Sequence, residues 1–352
     1  MPIDKESIMN ACIIAYSFYE DDYRVRRYAE ALMEEGHSVD VIALRKKGEP
    51  TKTTLRDVKV YQIQDRNHEE RTLNDYLVNI LSFFLKGSFL LARKFRKSRY
   101  ALVHIHNVPD FLIFMGAIPK LFGAKLILDI HDIMPEFFCQ KFNRAMDCLL
   151  ARVLLLVEYV STGFSDHVIV ANDLWRQKIV ARDCKKKANC TTLLNYPNKA
   201  FFNAGGHRRE HDGLRLIYPG TISHLHGIDI LIRGLRIVKK EVPNVRLDIY
   251  TMVNNSDYFN WLRELIIREG VNDCVHFHDH LPIEQLGKIV CDADIGIVCK
   301  REGIFASEAF STKIFDYMAA GLPIIASRTK IDEYYFDDSF MMFFAPENYK
   351  QL

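Results

Sequence analysis

EGIFASEAFSTKIFDYMAAGLPIIAS, Glu302 to Ser327, is the stretch on which the reading of this chain turns. A polar loop bearing Glu308 runs into a segment of helical period, Gly321, Leu322 and Pro323 make a turn, and a β-branched run follows that reads as a buried strand. Glu308 and Asp316 have seven residues between them, about two helical turns, so both fall on a similar face and can meet one extended ligand. Taken alone, such a pair is a helix-start charge and a solvated residue; the surrounding phrase favours a site. Thr312 and Lys313 lie on the first helical turn, where amide hydrogens and the positive dipole end suit a phosphate, and Lys313 adds a full charge.

The same alternation of short apolar runs with longer helical segments extends in both directions, the signature of parallel sheets covered by helices. In the first half the strands read as 11–17, 38–44, 58–64, 102–106, 125–130, 167–170 and 191–194, enough for one doubly wound domain. The grammar restarts at Leu214, with further strands at 245–250, 275–277, 295–299 and 323–326 and helices at 228–241 and 257–269. Between the halves lies Asn195 to Gly213, rich in Gly, Asn, Pro and charge, the composition of a linker. The boundary is placed near Gly205, giving domains 1–204 and 205–352 in a chain of 352 residues, too long for one core. Two facing Rossmann-like domains create a cleft at the carboxyl ends of their strands, where ligands of such folds bind.

The phrase Asp316-Tyr-Met-Ala-Ala-Gly-Leu-Pro-Ile-Ile, seven residues after Glu308, resembles glycosyltransferase family 4, whose members place an acidic residue before "E-A-M-A-x-G-x-P-V-I" at this spacing. The resemblance implies a GT-B fold and a retaining transfer of sugar from a nucleoside-diphosphate sugar to an acceptor hydroxyl. It implies that Glu308 works at the donor sugar and that Asp316 accepts hydrogen bonds from the ribose hydroxyls, aspartate standing here for the family's glutamate. The family's phosphate loop, roughly "G-R-L-x-x-x-K-G", is replaced by Gly220-Thr-Ile-Ser-His-Leu-His-Gly227, with Thr221 for Arg and His226 for Lys. Lys313, the helix dipole and the amides of Gly220 and Thr221 are therefore expected to hold the diphosphate, with Thr312 beside them and His226 contributing only when protonated.

In the first half, LDIHDIMPE (Leu128 to Glu136) puts a His-Asp pair directly after a strand. Family members commonly carry a histidine here that faces the donor sugar, which points to His131, with Asp132 and Glu136 orienting it or meeting the acceptor. Near the start, YSFYEDDYRVRR replaces the glycine-rich loop of many relatives; Asp22 and Arg24 are expected to face the acceptor. His104 and His106 read as pointing to opposite faces of their strand, which would keep them from sharing a metal. His276, His278 and His280 read as a solvent-facing edge, and Asp292-Ala-Asp294 as a structural strand entry rather than a metal site. No metal or cofactor is expected; the nucleotide sugar is a substrate.

Lys plus Arg number 47 against 45 for Asp plus Glu, and a net charge of +2 argues against wholesale nucleic-acid binding. Eight scattered cysteines without a C-x-x-C pair suit a reducing cytoplasm. The N-terminus lacks the regions of a signal peptide, and the apolar stretches at 77–91 and 149–160 are interrupted by Lys86 and Arg152. The segment from Leu77 to Arg99 ends in a basic run: it is either an amphipathic helix docked on an anionic inner leaflet or a core helix with a solvated end. Family members normally continue past a phrase like Phe344 to Asn348 with further helices, whereas this sequence stops at Leu352, so the second domain is expected to lack them. The acceptor expected by family habit is a bacterial surface polysaccharide or lipid-linked glycan. A nucleotide-sugar epimerase of the same fold and a catalytically silent sugar-nucleotide-binding partner are the competing readings.

Overall fold

The computed structural model describes residues 8–66, 73–182, 184–202, 212–252 and 257–352. Contacts divide the chain into two compact units, Met1–Leu194 and Asn195–Leu352. The expected boundary at Gly205 lies outside the described residues.

The first unit is built on an eight-stranded sheet. Its strands are β1 (Asn10–Phe18), β2 (Ser38–Arg45), β3 (Lys52–Leu55), β4 (Val58–Asp65), β5 (Leu102–His106), β6 (Lys125–Ile130), β7 (His167–Val170) and β8 (Cys190–Thr192). Their order is β3-β4-β2-β1-β5-β6-β7-β8, parallel except for the antiparallel β3–β4 pair. β1 is apolar and buried from Ala11 to Tyr16 because both its faces are covered there. On one face Ile13 and Ala15 pack with Val25 and Ala29 of helix α1 (Tyr23–Glu34). On the other, Tyr16 meets Phe83 of helix α2 (Leu73–Ser98) at 5.2 Å between rings. The remaining helices are α3 (Ala117–Leu121), α4 (Met134–Lys141), α5 (Leu149–Phe164) and α6 (Asp173–Ala181).

The second unit has six parallel strands, β9 (Arg215–Pro219), β10 (Arg246–Thr251), β11 (Val275–Asp279), β12 (Ile295–Val298), β13 (Ile324–Ser327) and β14 (Met342–Phe344), ordered β11-β10-β9-β12-β13-β14. Its helices are α7 (Ile228–Glu241), α8 (Asp257–Glu269), α9 (Ile283–Cys291), α10 (Thr312–Ala320) and α11 (Lys330–Tyr335). Strand order reverses beside β1 in the first sheet and beside β9 in the second. The loops leaving β1, β5, β9 and β12 thus surround the two switch points, where doubly wound sheets present ligand sites.

Two strands escape the sequence reading. β3 joins β4 through Arg56 and Asp57, both at positive φ (47° and 66°), so the tight hairpin lacks the Asn-Gly signature that would announce it. β14 has three residues and no period to read. β11 is an edge strand, and His278 bonds Asp248 at 2.6 Å while stacking on Tyr250. Asp294 accepts the Arg215 amide at 2.8 Å, fastening the start of β12 to that of β9.

Candidate active site

In the second unit the site is assembled around α10. Tyr317 is the anchor: its ring lies on Gly296, where an added Cβ would come within 2.3 Å, and its hydroxyl donates to the carbonyls of Ile217 (3.1 Å) and Ile297 (3.3 Å). One buried side chain thereby fixes α10 over β9 and β12. Lys313, on the helix's first turn, is carried across Gly220, which follows β9 at φ 140°; a Cβ there would meet Lys313 Cε at 2.7 Å. The Lys313 ammonium sits 4.8 Å from the centre of the Tyr218 ring. Burial lowers its pKa to about 8, with Asp316 opposing the shift and Lys300 adding to it. Burial likewise pushes Asp316 up to about 7 against the pull of Lys313. No side-chain carboxylate lies within ion-pair distance of Lys313 among the described residues.

Two expectations for the phosphate loop change. The Gly220 amide donates to Tyr250 O at 2.8 Å, completing the β9–β10 ladder, and cannot serve a phosphate. His226 is neutral at physiological pH: burial, then the nearby Lys313 charge, lower its pKa to about 4, and Nδ1 bonds Ser223 Oγ at 3.0 Å. Thr221 and Thr312 are both exposed.

Glu308 is buried and paired with Lys330 of α11 at 2.8 Å. Its loop is pinned from below by Lys300, which reaches Asp332 at 2.6 Å and the Ala309 carbonyl at 3.1 Å. Lys300, Lys330, Asp332, Gly296 and Tyr317 escape the sequence reading. Their partners lie up to 100 residues away in sequence, and no local pattern marks them.

In the first unit, Asp129 on β6 gathers four cationic or titratable side chains. Arg24 takes it bidentately, at 2.8 and 3.2 Å, and also donates to Leu193 O at 2.9 Å. His104, His106 and His131 stand 3.5, 3.6 and 3.8 Å from the same carboxylate. Burial alone would raise Asp129; Arg24 and then His131 overcome it and hold the carboxyl well below the usual range. Burial lowers the pKa of both His106 and His131. His106 Nδ1 meets His131 Nε2 at 2.7 Å, and the His131 amide donates to Asn107 Oδ1 at 2.7 Å. His131 is therefore held at ring and backbone by the end of β5.

Three expectations are corrected here. His104 and His106 share a face, since residues two apart on a strand point the same way, and their rings stack at 4.4 Å. Arg24 does not face an acceptor: it is buried because its planar fork neutralises the buried Asp129. Glu136 is buried as well, bonded to Arg182 and, at 3.4 Å, to Lys178 of α6, so it ties helices together. Asp22 caps α1, accepting from Val25 N at 3.2 Å. Asp132 stays half-buried beside His131, and burial pushes its carboxyl up to about 6.

His104, His106 and Asp129 lie close enough to hold a metal ion. The Arg24 guanidinium, bidentate on the same carboxylate, already supplies the positive charge that such an ion would bring. The donor set fits this ion pair better than a metal.

The family model described as Glycosyl transferase 4-like domain matches residues 22–192, and that described as Glycosyl transferases group 1 matches residues 213–352. Together with the two parallel sheets, these matches define an enzyme of the GT-B glycosyltransferase class. The chain belongs to the glycosyltransferases that join a 4-like domain to a group 1 domain. It is similar to the amylovoran biosynthesis glycosyltransferase AmsK of Erwinia amylovora, 26% identical over 156 residues, 44% of this chain and 37% of that protein. It is also similar to spore coat protein SA of Bacillus subtilis, 22% identical over 282 residues, 77% of this chain and 71% of the relative. Among solved structures, sucrose-phosphate synthase from Thermosynechococcus elongatus superposes with a TM-score of 0.76 at 16% identity, covering 97% of this chain and 87% of that one. Anabaena HepE in complex with UDP and glucose gives 0.68 at 13%, over 97% and 87%. At these identities the structural likeness speaks for the fold alone.

Proposed function

We propose that the chain transfers a sugar, with retention, from a nucleoside-diphosphate sugar to an acceptor hydroxyl in the synthesis of a bacterial surface polysaccharide or lipid-linked glycan. The observation that carries the donor side is Lys313, a desolvated ammonium at the amino end of α10 with Asp316 one turn on. A diphosphate would meet the ammonium and the first amides of α10, and the ribose hydroxyls would donate to ionised Asp316. HepE, of the same fold, was crystallised with UDP and glucose, which supports a uridine nucleotide as the first to test.

In the transfer, the bond from the anomeric carbon to the diphosphate oxygen breaks and a bond to the acceptor oxygen forms on the same face. The acceptor proton passes to the leaving diphosphate. Lys313 stabilises the charge that grows on that group, and Glu308 steers the donor sugar. The spore coat and amylovoran relatives support a cell-surface product.

Calorimetric titration with UDP, GDP and ADP of the wild type and of Asp316→Ala tests the reading. Binding of one nucleotide that is lost in the variant supports a donor site; absence of binding to all three overturns it. The replacement of two loop cations by Thr221 and neutral His226 favours one second reading, a sugar-nucleotide-binding protein without turnover. That protein would bind donor yet release no free nucleotide in the presence of any acceptor.

A further inference from the structure

Helix α5 is built inside out. Its buried positions are Ala151, Glu158, Ser161 and Thr162, while Leu149, Val153, Leu156 and Val160 form an exposed row. Glu158 is 1% exposed and bonded to Arg182 at 2.9 Å, so the polar face is committed to the interior. Among the described residues, nothing covers the apolar face. An exposed row of the same kind, Val78, Leu81, Leu85 and Phe89, runs along α2 at helical spacing, with Phe89 at 71% exposure. Between the two helices a 3-10 turn, Asp110–Gly116, leads into α3, whose end exposes Leu121 and Phe122. Ring contacts join these segments into one surface: Phe84 with Phe111 at 5.9 Å, Phe95 with Phe122 at 6.1 Å, and Phe114 with Phe164 at 4.9 Å.

Charge on this surface is mostly basic. Over residues 75–99, 117–125 and 149–164 the acidic residues are Asp75, at the first turn of α2, and the buried Glu158, whereas Lys86, Arg93, Arg96, Lys97, Lys125 and Arg152 are exposed. We infer that the outer face of α2, α3 and α5 docks flat on an anionic lipid bilayer. The apolar rows enter the headgroup boundary and the basic residues meet lipid phosphates.

α2 is long and apolar enough to cross a membrane by length and composition, yet its inner face is locked to its own domain. Ile80, Phe83, Leu91 and Phe95 are buried, and Gly87 lies against Met115 so closely that a Cβ would come within 2.1 Å of it. A helix held in this way lies on a bilayer and does not span it. A second copy of the chain is a poorer occupant, because a twofold contact would set one basic rim against another. An anionic surface complements that rim. The inference is independent of the transfer reaction.

The test is flotation of the full chain with vesicles of phosphatidylcholine alone and of phosphatidylcholine mixed with phosphatidylglycerol. The wild type is expected to float with the mixed vesicles at low salt, and raising the salt should weaken retention. Phe89→Glu with Leu156→Glu should reduce the partition constant by about tenfold or more, and each basic residue of 93, 96 and 97 changed to Gln by about fivefold. All five positions are exposed, so an unchanged circular dichroism spectrum and melting temperature confirm that the variants fold. No flotation of the wild type, or equal flotation of the double Glu variant, overturns the inference. Dimers that the double variant dissociates, without vesicle binding by the wild type, would assign the face to self-association instead.

Discussion

At the residue scale, two desolvated pairs dominate. Lys313 must carry its proton to meet a diphosphate, so nucleotide affinity should fall as pH rises through about 8. Asp316 must be ionised to accept from ribose hydroxyls, so affinity should also fall as pH drops through about 7. The resulting bell, followed by calorimetry across pH, should lose its alkaline limb in Lys313→Arg, whose guanidinium does not titrate, and its acid limb in Asp316→Asn. Lys313→Ala should raise the dissociation constant at least about tenfold, the loss of ~1.4 kcal/mol. The second pair is structural. Asp129→Asn leaves the Arg24 guanidinium buried without its counter-charge and should destabilise the first unit by about 3–5 kcal/mol in urea unfolding.

At the scale of elements, the position of α10 decides whether Lys313 is useful. That position rests on the Tyr317 ring against Gly296, a contact with no room for a side chain. Gly296→Val should push the ring and its helix outward, costing about 1–3 kcal/mol of stability and about tenfold or more in nucleotide affinity, although no ligand-facing residue has changed. Calorimetry and urea unfolding of the same variant measure both. The site phrase from Glu308 to Pro323 was legible because its loop, helix, turn and strand are contiguous and each obeys local rules. The histidine cluster was not, since strands β5 and β6 and helix α1 bring together residues 105 positions apart.

At the scale of the whole molecule, two separate parallel sheets were legible from the two runs of alternating strands and helices, whereas the β3–β4 hairpin and β14 were too short or too atypical in their turn residues. Charge at the proposed donor site comes from Lys313 and the α10 amino end, so nucleotide binding should be unchanged by EDTA. Thermal unfolding followed by calorimetry should show stabilisation of about 2.7 kcal/mol at a nucleotide concentration 100-fold above the dissociation constant, with and without the chelator.

The amino-acid sequence by itself determined the α/β class, the strands of both sheets other than β3 and β14, and the placement of Glu308, Lys313 and Asp316 in one helix-opening phrase, because those properties follow from local period and spacing. Tertiary structure alone decided which charged residues are sealed away and which remain available. Arg24 and Glu136 read as open side chains beside a ligand until Asp129 and Arg182, brought in by distant elements, claimed them. Likewise the apolar stretch 149–160 carried no mark of which side is covered; the fold turned Glu158 inward and left Leu149 and Leu156 outside. Period shows that a helix has two unlike faces; which of them is covered depends on what the rest of the chain packs against it.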